Sequence, residues 1–407
     1  ARATRALQGP RAFRAGAVFA LQSSSRSVGG LMAEGRQGGF AGACAAVALA
    51  RAALAAPAAG LLADMPWVQL GSAGIRNAST IVEALRLGYR GIDSALAYGN
   101  HRMLARAMKE SGLPREALFL TSKVSAFPAS MELPRDLVPA FRGLRELPPP
   151  FPLAPVDDPQ AGGGLNVKGR ELEAIGLSLR ELEVSYLDLC LLHFPMTSAL
   201  EFYAAFASFW YGHAGALPAW SRSALEGSLR ALASRAARRP GAAERARAQR
   251  LRAWKGLEEA RRLGLCRHIG VSNYPVGLLQ ELEALREEPL FNLQQELHPL
   301  AQFGRLRHYA RARNITLTGY GTGVVLGDRR VQEVARRAGR TPGQVVLRWA
   351  VQRGIRVVPK TNRLDRLREN LGVLDFDLSA DDMATLDGLD EHKLFYVDTS
   401  VSSPRGT

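Results

Sequence analysis

From residue 65 onward, short apolar runs alternate with longer segments in which apolar residues recur every three or four positions. The short runs are rich in β-branched and aromatic residues and are bounded by glycine, proline or polar residues, a pattern that predicts strands. The eight runs are WVQLGS (67–72), YRGIDSA (89–95), LFLTSK (118–123), YLDLCLLHF (186–194), RHIGVSN (267–273), FNLQQEL (291–297), ITLTGYG (315–321) and RVVPKT (356–361).

The segments between these runs are predicted to be amphipathic helices. TIVEALRLG begins with a Thr80-x-x-Glu83 capping box and ends at Gly88, and TPGQVVLRWAVQRG ends at Gly354. Eight strands, each followed by a helix, is the count of a (β/α)₈ TIM barrel. We therefore expect an α/β protein of this architecture.

Composition divides the chain into an extension, a barrel with two insertions, and a tail. We place the extension at 1–62, the barrel at 63–395 and the tail at 396–407. Two connections exceed the usual loop length: 125–168 contains PPPFPLAP and AGGG, and 197–250 contains SRAARRPGAAERARAQR. Both follow strand ends, on the face where barrels keep their active sites, and their composition favours disorder over most of each.

The formal net charge of +15 is concentrated in two segments. Residues 1–60 carry seven arginines against Glu34, and residues 221–252 carry nine arginines against Glu226 and Glu244. Because the rest of the chain is nearly neutral, we expect no nucleic-acid binding by the barrel. An alternative is that 221–252 binds nucleic acid or an acidic partner, but it lacks interleaved aromatic residues, and we expect a solvated insertion.

The first 60 residues resemble a targeting sequence. They are rich in Arg, Ser and Ala, with no acidic residue before Glu34, which is typical of a mitochondrial or plastid transit peptide. The apolar run FAGACAAVALA (40–50) is too short to span a bilayer, so no stable membrane span is expected. The alternative is a disordered Ala/Arg extension, in which case the protein would be cytoplasmic.

The chain has three cysteines, Cys44, Cys190 and Cys266, which are far apart in the sequence. Their spacing is typical of neither a disulfide framework nor a zinc site, so we predict no disulfide and no metal centre. A reducing compartment is consistent with this use of cysteine.

Four polar residues stand at or just beyond the carboxyl ends of predicted strands. Asp93 and Tyr98 follow the second strand, Lys123 ends the third, and His193 ends the fourth. Any one of them could be a solvated rim residue or a structural group. Because the carboxyl ends of barrel strands meet at one mouth, all four are expected to converge there as a catalytic site.

Several motifs resemble the aldo-keto reductase family, in the branch of aldose reductase and 2,5-diketo-gluconate reductase. The matching stretches are GYRGIDSALAYGN, LFLTSKV, SLRELEVSYLDLCLLHFP, GLCRHIGVSNY, LQQELHP, TLTGYG and VVPKTNRLDRLREN, in the family's order over about residues 65 to 390. The resemblance implies that Tyr98 is the proton donor, that Asp93 and Lys123 support it, and that His193 orients the substrate carbonyl.

The physical chemistry of these side chains is consistent with those roles. A free phenol is a poor acid at neutral pH, and a neighbouring ammonium such as Lys123 favours the phenolate, so we expect the pKa of Tyr98 to be lowered. Asp93 would stabilise Lys123 as its counter-ion in a partly dry pocket.

Hydride transfer requires a cofactor, and the chain has no Rossmann fingerprint, since the third glycine of a G-x-G-x-x-G pattern starting at Gly319 would fall on Val324. The resemblance implies NADPH instead. Ser272, Asn273 and Gln294 would bind its carboxamide, and Tyr320 would stack on its ring. The adenosine-phosphate motif is matched by Lys360, Thr361, Asn362, Arg366, Glu369 and Asn370.

Two positions depart from the family pattern. His101 stands where the family usually has Glu, and Gly321, Thr322 and Gly323 replace a Ser-Pro-Leu-like turn beside the pyrophosphate.

We therefore expect an NADPH-dependent reductase of aldehydes or ketones, acting as a monomer on a small-molecule carbonyl substrate. The alternative is a cofactor-binding regulatory or scaffold subunit with little turnover, because related barrels serve as accessory subunits of ion channels. The complete set of four catalytic residues favours the enzyme.

Overall fold

Eight parallel strands form one sheet in the computed structural model, which describes residues 65–124, 171–195 and 240–396. Their spatial order is the order in the chain. The strands are β1 (Leu70–Gly71), β2 (Gly91–Asp93), β3 (Phe119–Val124), β4 (Leu187–Leu192), β5 (Cys266–Ser272), β6 (Asn292–Glu296), β7 (Thr316–Tyr320) and β8 (Arg356–Val357).

The sheet closes on itself between β8 and β1. Val68 and Val357 form a parallel bridge, and the Gln69 N–H donates to the Val357 carbonyl at 2.9 Å. Closure leaves no open sheet edge. The predicted (β/α)₈ barrel is therefore confirmed, and all eight predicted runs contain strands.

Helices follow every strand in the described part of the chain. They are α1 (Ala78–Leu87), α2 (His101–Ser111), α3 (Glu171–Leu182), α4 (Ala242–Arg262), α5 (Val276–Glu283), α6 (Gly304–Ala312), α7 (Arg329–Ala338), α8 (Pro342–Gln352), α9 (Leu364–Leu371) and α10 (Ala380–Asp387). A short 3₁₀ turn, Leu96–Tyr98, lies between β2 and α2. None of the described helices is both long and apolar enough to cross a membrane.

The start of α1 differs from the sequence prediction. Asn77 is its N-cap and accepts a hydrogen bond from the Ser79 N–H at 3.0 Å, whereas Thr80 is buried inside the helix. The predicted Thr80 capping box is therefore wrong, because an asparagine three residues earlier is the N-cap and accepts from one of the free N–H groups of the first turn. The predicted end is confirmed, since Gly88 is left-handed with φ of 113°.

The predicted borders of the second insertion also change. The helix α4 begins at Ala242, so the last residues assigned to the insertion are helical. Arg250 in this stretch forms an ion pair with Glu281 at 2.9 Å, so this arginine serves the barrel. The extension 1–62, the whole insertion 125–168, the tail beyond Tyr396 and residues 197–239 lie outside the described residues.

Cys190 and Cys266 form a disulfide, which contradicts the prediction that no disulfide is present. They are 76 residues apart in the sequence, but β4 and β5 are neighbours and the two Cα atoms lie 5.9 Å apart. Linear spacing missed the pair because strand order, and not sequence distance, brings the two residues together. The case for a reducing compartment from cysteine spacing therefore loses its basis.

The disulfide is expected to stabilise the barrel. A single cross-link restricts the conformations of the unfolded chain, and this typically raises the free energy of unfolding by about 2–4 kcal/mol. A Cys190→Ser/Cys266→Ser variant should lose that amount of unfolding free energy in urea, with a Cys44→Ser variant as the control. Alkylation of the denatured, unreduced protein should modify Cys44 alone; modification of all three cysteines would contradict the pairing.

Candidate active site

A buried ion pair lies at the carboxyl ends of β2 and β3. Lys123 Nζ donates to Asp93 Oδ1 at 2.6 Å and to the Ser94 carbonyl at 2.8 Å. Asp93 is 3% exposed and Lys123 is 1% exposed. An ammonium removed from water is stable only with such partners, so the pair holds a fixed positive charge at the barrel mouth.

Tyr98 lies beside this charge at the end of the 3₁₀ turn. The Lys123 ammonium hydrogen-bonds the phenol and lies 5.3 Å from the centroid of its ring. The following residue pair fixes the turn, since Gly99 is left-handed and Asn100 donates through Nδ2 to the Ser72 carbonyl at 2.8 Å. The loop therefore has a defined position over the ion pair.

His193 completes the predicted group of four. Its backbone N–H donates to the Val124 carbonyl at 2.8 Å. Its ring meets the Tyr98 ring edge-on, with 5.8 Å between the ring centroids, and stacks on the Phe194 ring, with 4.2 Å between the centroids. Its Nδ1 is buried and has no hydrogen-bond partner among the described residues. The structure thus places all four side chains in one group.

The electrostatics of the group differ in one respect from the expectation. Burial raises the pKa of Tyr98, and the opposing effect of Lys123 does not cancel it, so the pKa is raised and not lowered as expected. Burial also acts to lower the pKa of Lys123, but Asp93 and Tyr98 outweigh it and the pKa is raised. Burial and Lys123 together hold the pKa of His193 well below its usual value. At neutral pH the group therefore comprises a neutral phenol, an ammonium and a neutral imidazole.

Polar side chains from the next three strands lie against this group. Asn273 Nδ2 donates to the His193 carbonyl at 2.9 Å and to Ser272 Oγ at 3.0 Å, and the Tyr320 hydroxyl donates to Asn273 Oδ1 at 2.7 Å. Gln294 is paired with Ser272 across β5 and β6. These residues offer amides, a hydroxyl and a flat ring, which are the groups that a nicotinamide carboxamide and ring require.

The predicted phosphate-binding residues gather around the start of α9. Lys360 and Arg366 are exposed and form no ion pair with any described residue. Two other members are engaged within the protein: Asn370 is buried, and Glu369 accepts from Thr341 Oγ1 at 3.5 Å. Thr361 and Asn362 lie in the same turn. Two unpaired cations fit a phosphate monoester.

A contact missed from sequence ties the carboxyl-terminal segment to the mouth. Glu296, at the end of β6, accepts hydrogen bonds from the N–H groups of Phe395 and Tyr396 at 2.7 and 3.0 Å. The Tyr396 ring then meets Tyr320 edge-on at 5.8 Å. The sequence feature that could have indicated this contact is the carboxylate of Glu296 within the apolar LQQELHP motif. Its partners lie about 100 residues away and could not be inferred from the sequence.

The two departures from the family pattern each have a local structural role. Gly321 is left-handed with φ of 77°, and an added Cβ would lie 3.1 Å from the Tyr396 ring, so a larger residue would be strained and crowded. His101 is buried, with Nε2 3.2 Å from Ser122 Oγ and Nδ1 3.6 Å from the Glu181 carboxylate. His101 thereby links α2, β3 and α3 behind the site.

Comparison with known proteins gives consistent matches over the barrel. The family model "Aldo/keto reductase family" matches residues 76–323 and 324–391. An NADPH-dependent D-xylose reductase of Meyerozyma guilliermondii is 31% identical over 353 residues, covering 80% of this chain and 92% of its own. A D-galacturonate reductase of Fragaria ananassa is 27% identical over 353 residues, covering 81% and 88%.

Solved structures agree on the fold. The aldose reductase of Schistosoma japonicum has a TM-score of 0.57 at 23% identity, covering 83% of this chain and 93% of its own. Together with the family match, these likenesses show that the chain belongs to the aldo/keto reductase family, as an oxidoreductase that reduces carbonyl groups with a nicotinamide cofactor.

Proposed function

We propose that the protein is an NADPH-dependent reductase of aldehydes or ketones and that Tyr98 donates the proton. The observation that carries the proposal is the Lys123 ammonium, which lies between the Asp93 carboxylate and the Tyr98 phenol with His193 at its side. The named activity of the Meyerozyma relative supports the choice of cofactor.

Each side chain has one task in the reduction. NADPH, held by Ser272, Asn273, Gln294 and Tyr320, would supply the hydride that the carbonyl carbon needs. The Tyr98 hydroxyl donates its proton to the carbonyl oxygen as that oxygen gains negative charge, and Lys123 stabilises the phenolate that remains. Asp93 keeps Lys123 charged and directed, and neutral His193 presents a ring nitrogen to the substrate oxygen. General acid catalysis of this kind contributes about 10²–10⁴ in rate.

The test is single-turnover oxidation of bound NADPH by a simple aldehyde. The reaction is monitored through the loss of nicotinamide fluorescence. The native protein should oxidise bound NADPH when mixed with the aldehyde, and Tyr98→Phe should do so about 10²–10⁴-fold more slowly. Tight binding of NADPH without oxidation by any carbonyl in a broad panel would overturn the enzyme assignment and favour the regulatory subunit.

Opposite pH dependences are expected for the two directions of the reaction. Carbonyl reduction needs the neutral phenol, which exists below the raised pKa of Tyr98, so the reduction rate should be level through neutral pH and decline only as the pH rises through that pKa. Alcohol oxidation needs the phenolate, so below that pKa its rate should rise about tenfold per pH unit. His193 stays neutral down to pH values well below its usual pKa, so no acid limb is expected near neutrality. Initial rates with NADPH and NADP⁺ across pH test this; parallel profiles would contradict it.

The cofactor preference should depend on the two unpaired cations near α9. Lys360→Ala/Arg366→Ala removes the charge-assisted hydrogen bonds to a 2′-phosphate, each worth about 1.5–3 kcal/mol. Because two such interactions are lost, the KM for NADPH should rise by about a hundredfold or more, while the KM for NADH stays unchanged. Arg363→Ala is the matched control, because Arg363 is already paired with Asp365. Equal losses with both cofactors would contradict the assignment.

Targeting by residues 1–62 to a plastid or mitochondrion, and a monomeric state, also remain proposals. The leader's Arg-, Ser- and Ala-rich composition is the support for the first. Fusion of residues 1–62 to a fluorescent protein tests it, with a fusion that starts at residue 63 as the control.

A further inference from the structure

The Gln294 side chain contacts the catalytic ion pair directly. Its Nε2 donates to Asp93 Oδ2 at 2.7 Å, while Lys123 donates to the other oxygen, Oδ1, at 2.6 Å. Gln294 and Asp93 are each 3% exposed. The two carboxylate oxygens therefore serve two different donors, a charged amine and a neutral amide.

This contact fixes which end of the amide faces Asp93. An ionised carboxylate only accepts hydrogen bonds, so the amide nitrogen must point toward it. A rotated amide would place its oxygen against a carboxylate oxygen, and both the repulsion and the lost hydrogen bond oppose that state. The Gln294 Oε1 atom is thereby held on the side away from Asp93, and it has no hydrogen-bond partner among the described residues.

The neighbouring amide is held in the same manner. Asn273 Nδ2 is committed to the His193 carbonyl and to Ser272 Oγ, and its Oδ1 accepts from Tyr320. Asn273 is also left-handed, with φ of 65°. Two buried amides at the mouth thus have their orientations set by groups next to the catalytic residues.

We propose that Gln294 is a positioning residue that couples recognition of the nicotinamide carboxamide to Asp93: the carboxylate locks the amide so that Oε1 accepts the carboxamide N–H, and the amide in turn shares the charge of Asp93. The inference rests on the proposed function, since it takes NADPH as the ligand of this mouth. It adds an energetic link between cofactor binding and the ion pair that supports the proton donor.

The contact between Gln294 and Asp93 should make the Tyr98 phenol a stronger acid. The amide dipole offsets part of the negative charge on Asp93, so more of the Lys123 field acts on Tyr98. Loss of the amide strengthens the influence of Asp93 at Tyr98, which makes the phenol a weaker acid. At saturating NADPH and substrate, Gln294→Leu should therefore lower kcat and move the alkaline limb of reduction to higher pH.

A double-mutant cycle on cofactor affinity tests the coupling without turnover. NADPH dissociation constants are measured by fluorescence titration for the native protein, Asp93→Asn, Gln294→Leu and the double variant. NADPH is the probe because its nicotinamide ring is uncharged, so loss of the Asp93 charge has no direct attraction to remove. Asparagine can donate as well as accept, so it releases the lock on Gln294.

Asp93→Asn should weaken NADPH binding about fivefold in the native background, the size of one neutral hydrogen bond, and have no effect in Gln294→Leu. The control cycle pairs Asp93→Asn with Ser272→Ala, which does not touch Asp93, and should be additive. Additive losses in the Gln294 cycle, or an unchanged affinity in Asp93→Asn, would overturn the proposal. Gln294→Met replaces Gln294→Leu if circular dichroism shows that the leucine variant is misfolded.

The cycle separates this inference from the proposed function. Coupled binding in a protein that never oxidises NADPH would keep the inference and reject the reductase. Carbonyl reduction together with an additive cycle would keep the reductase and reject the inference.

Discussion

A Tyr98→Phe variant is expected to lose about 10²–10⁴-fold in kcat for carbonyl reduction, because phenylalanine keeps the ring and removes the phenolic proton that Tyr98 would donate to the carbonyl oxygen. The ring contact with His193 should survive the change. The expected loss is therefore chemical, and the NADPH dissociation constant should be the same as in the native protein.

The measurement is steady-state kinetics with a small aldehyde, combined with an NADPH titration of each protein. Phe194→Leu is a matched control, since Phe194 also packs on His193 but carries no transferable proton. A Tyr98→Phe variant with native kcat would remove Tyr98 from the mechanism and leave another group as the proton donor.

A Lys123→Met variant is expected to lose both activity and stability. Methionine fits the length of the lysine stem but leaves the Asp93 carboxylate buried without its cation, and breaking a buried pair in this way typically costs about 3–5 kcal/mol. Urea unfolding monitored by tryptophan fluorescence should show this loss of unfolding free energy.

Removing both charges separates the two effects. The double variant Asp93→Asn/Lys123→Met no longer buries an unpaired charge, so it should recover most of the lost stability while its kcat remains low. If the single Lys123→Met variant unfolded at the same urea concentration as the native protein, that result would contradict the buried ion pair itself.

The barrel could be predicted because its strands are buried and several of them, such as LDLCLL in β4, are nearly continuous apolar runs. The predicted bounds of the first strand were too wide: the run 67–72 contains a strand of only two residues, Leu70–Gly71, although Val68, Gln69 and Ser72 beside it are also buried. The start of α1 was missed because Asn77 and Thr80 both satisfy the N-cap preference, and only the backbone path decides between them.

The grouping of Asp93, Lys123, Tyr98 and His193 could be predicted because barrel topology brings strand ends together. The sign of the Tyr98 pKa could not, because the sequence names the neighbouring charge but not the extent of burial that opposes it. The bond from Gln294 to Asp93 was missed for a related reason. The resemblance assigned Gln294 to the cofactor, and its distance from Asp93 depends on how the barrel closes.

The bond between Cys190 and Cys266 has a topological consequence. Together with the intervening backbone it forms a covalent ring that contains all of residues 197–250. Proteolytic cleavage within 197–239 would leave two fragments that stay joined, so the strand that leads to His193 could not separate from the strand that ends at Ser272. A nicked molecule should migrate as one species on a non-reducing gel and as two after reduction. Because the ends of the ring are fixed, each doubling of the enclosed length adds only about 0.6 kcal/mol of closure entropy, so this segment can change in length at little expense to the barrel.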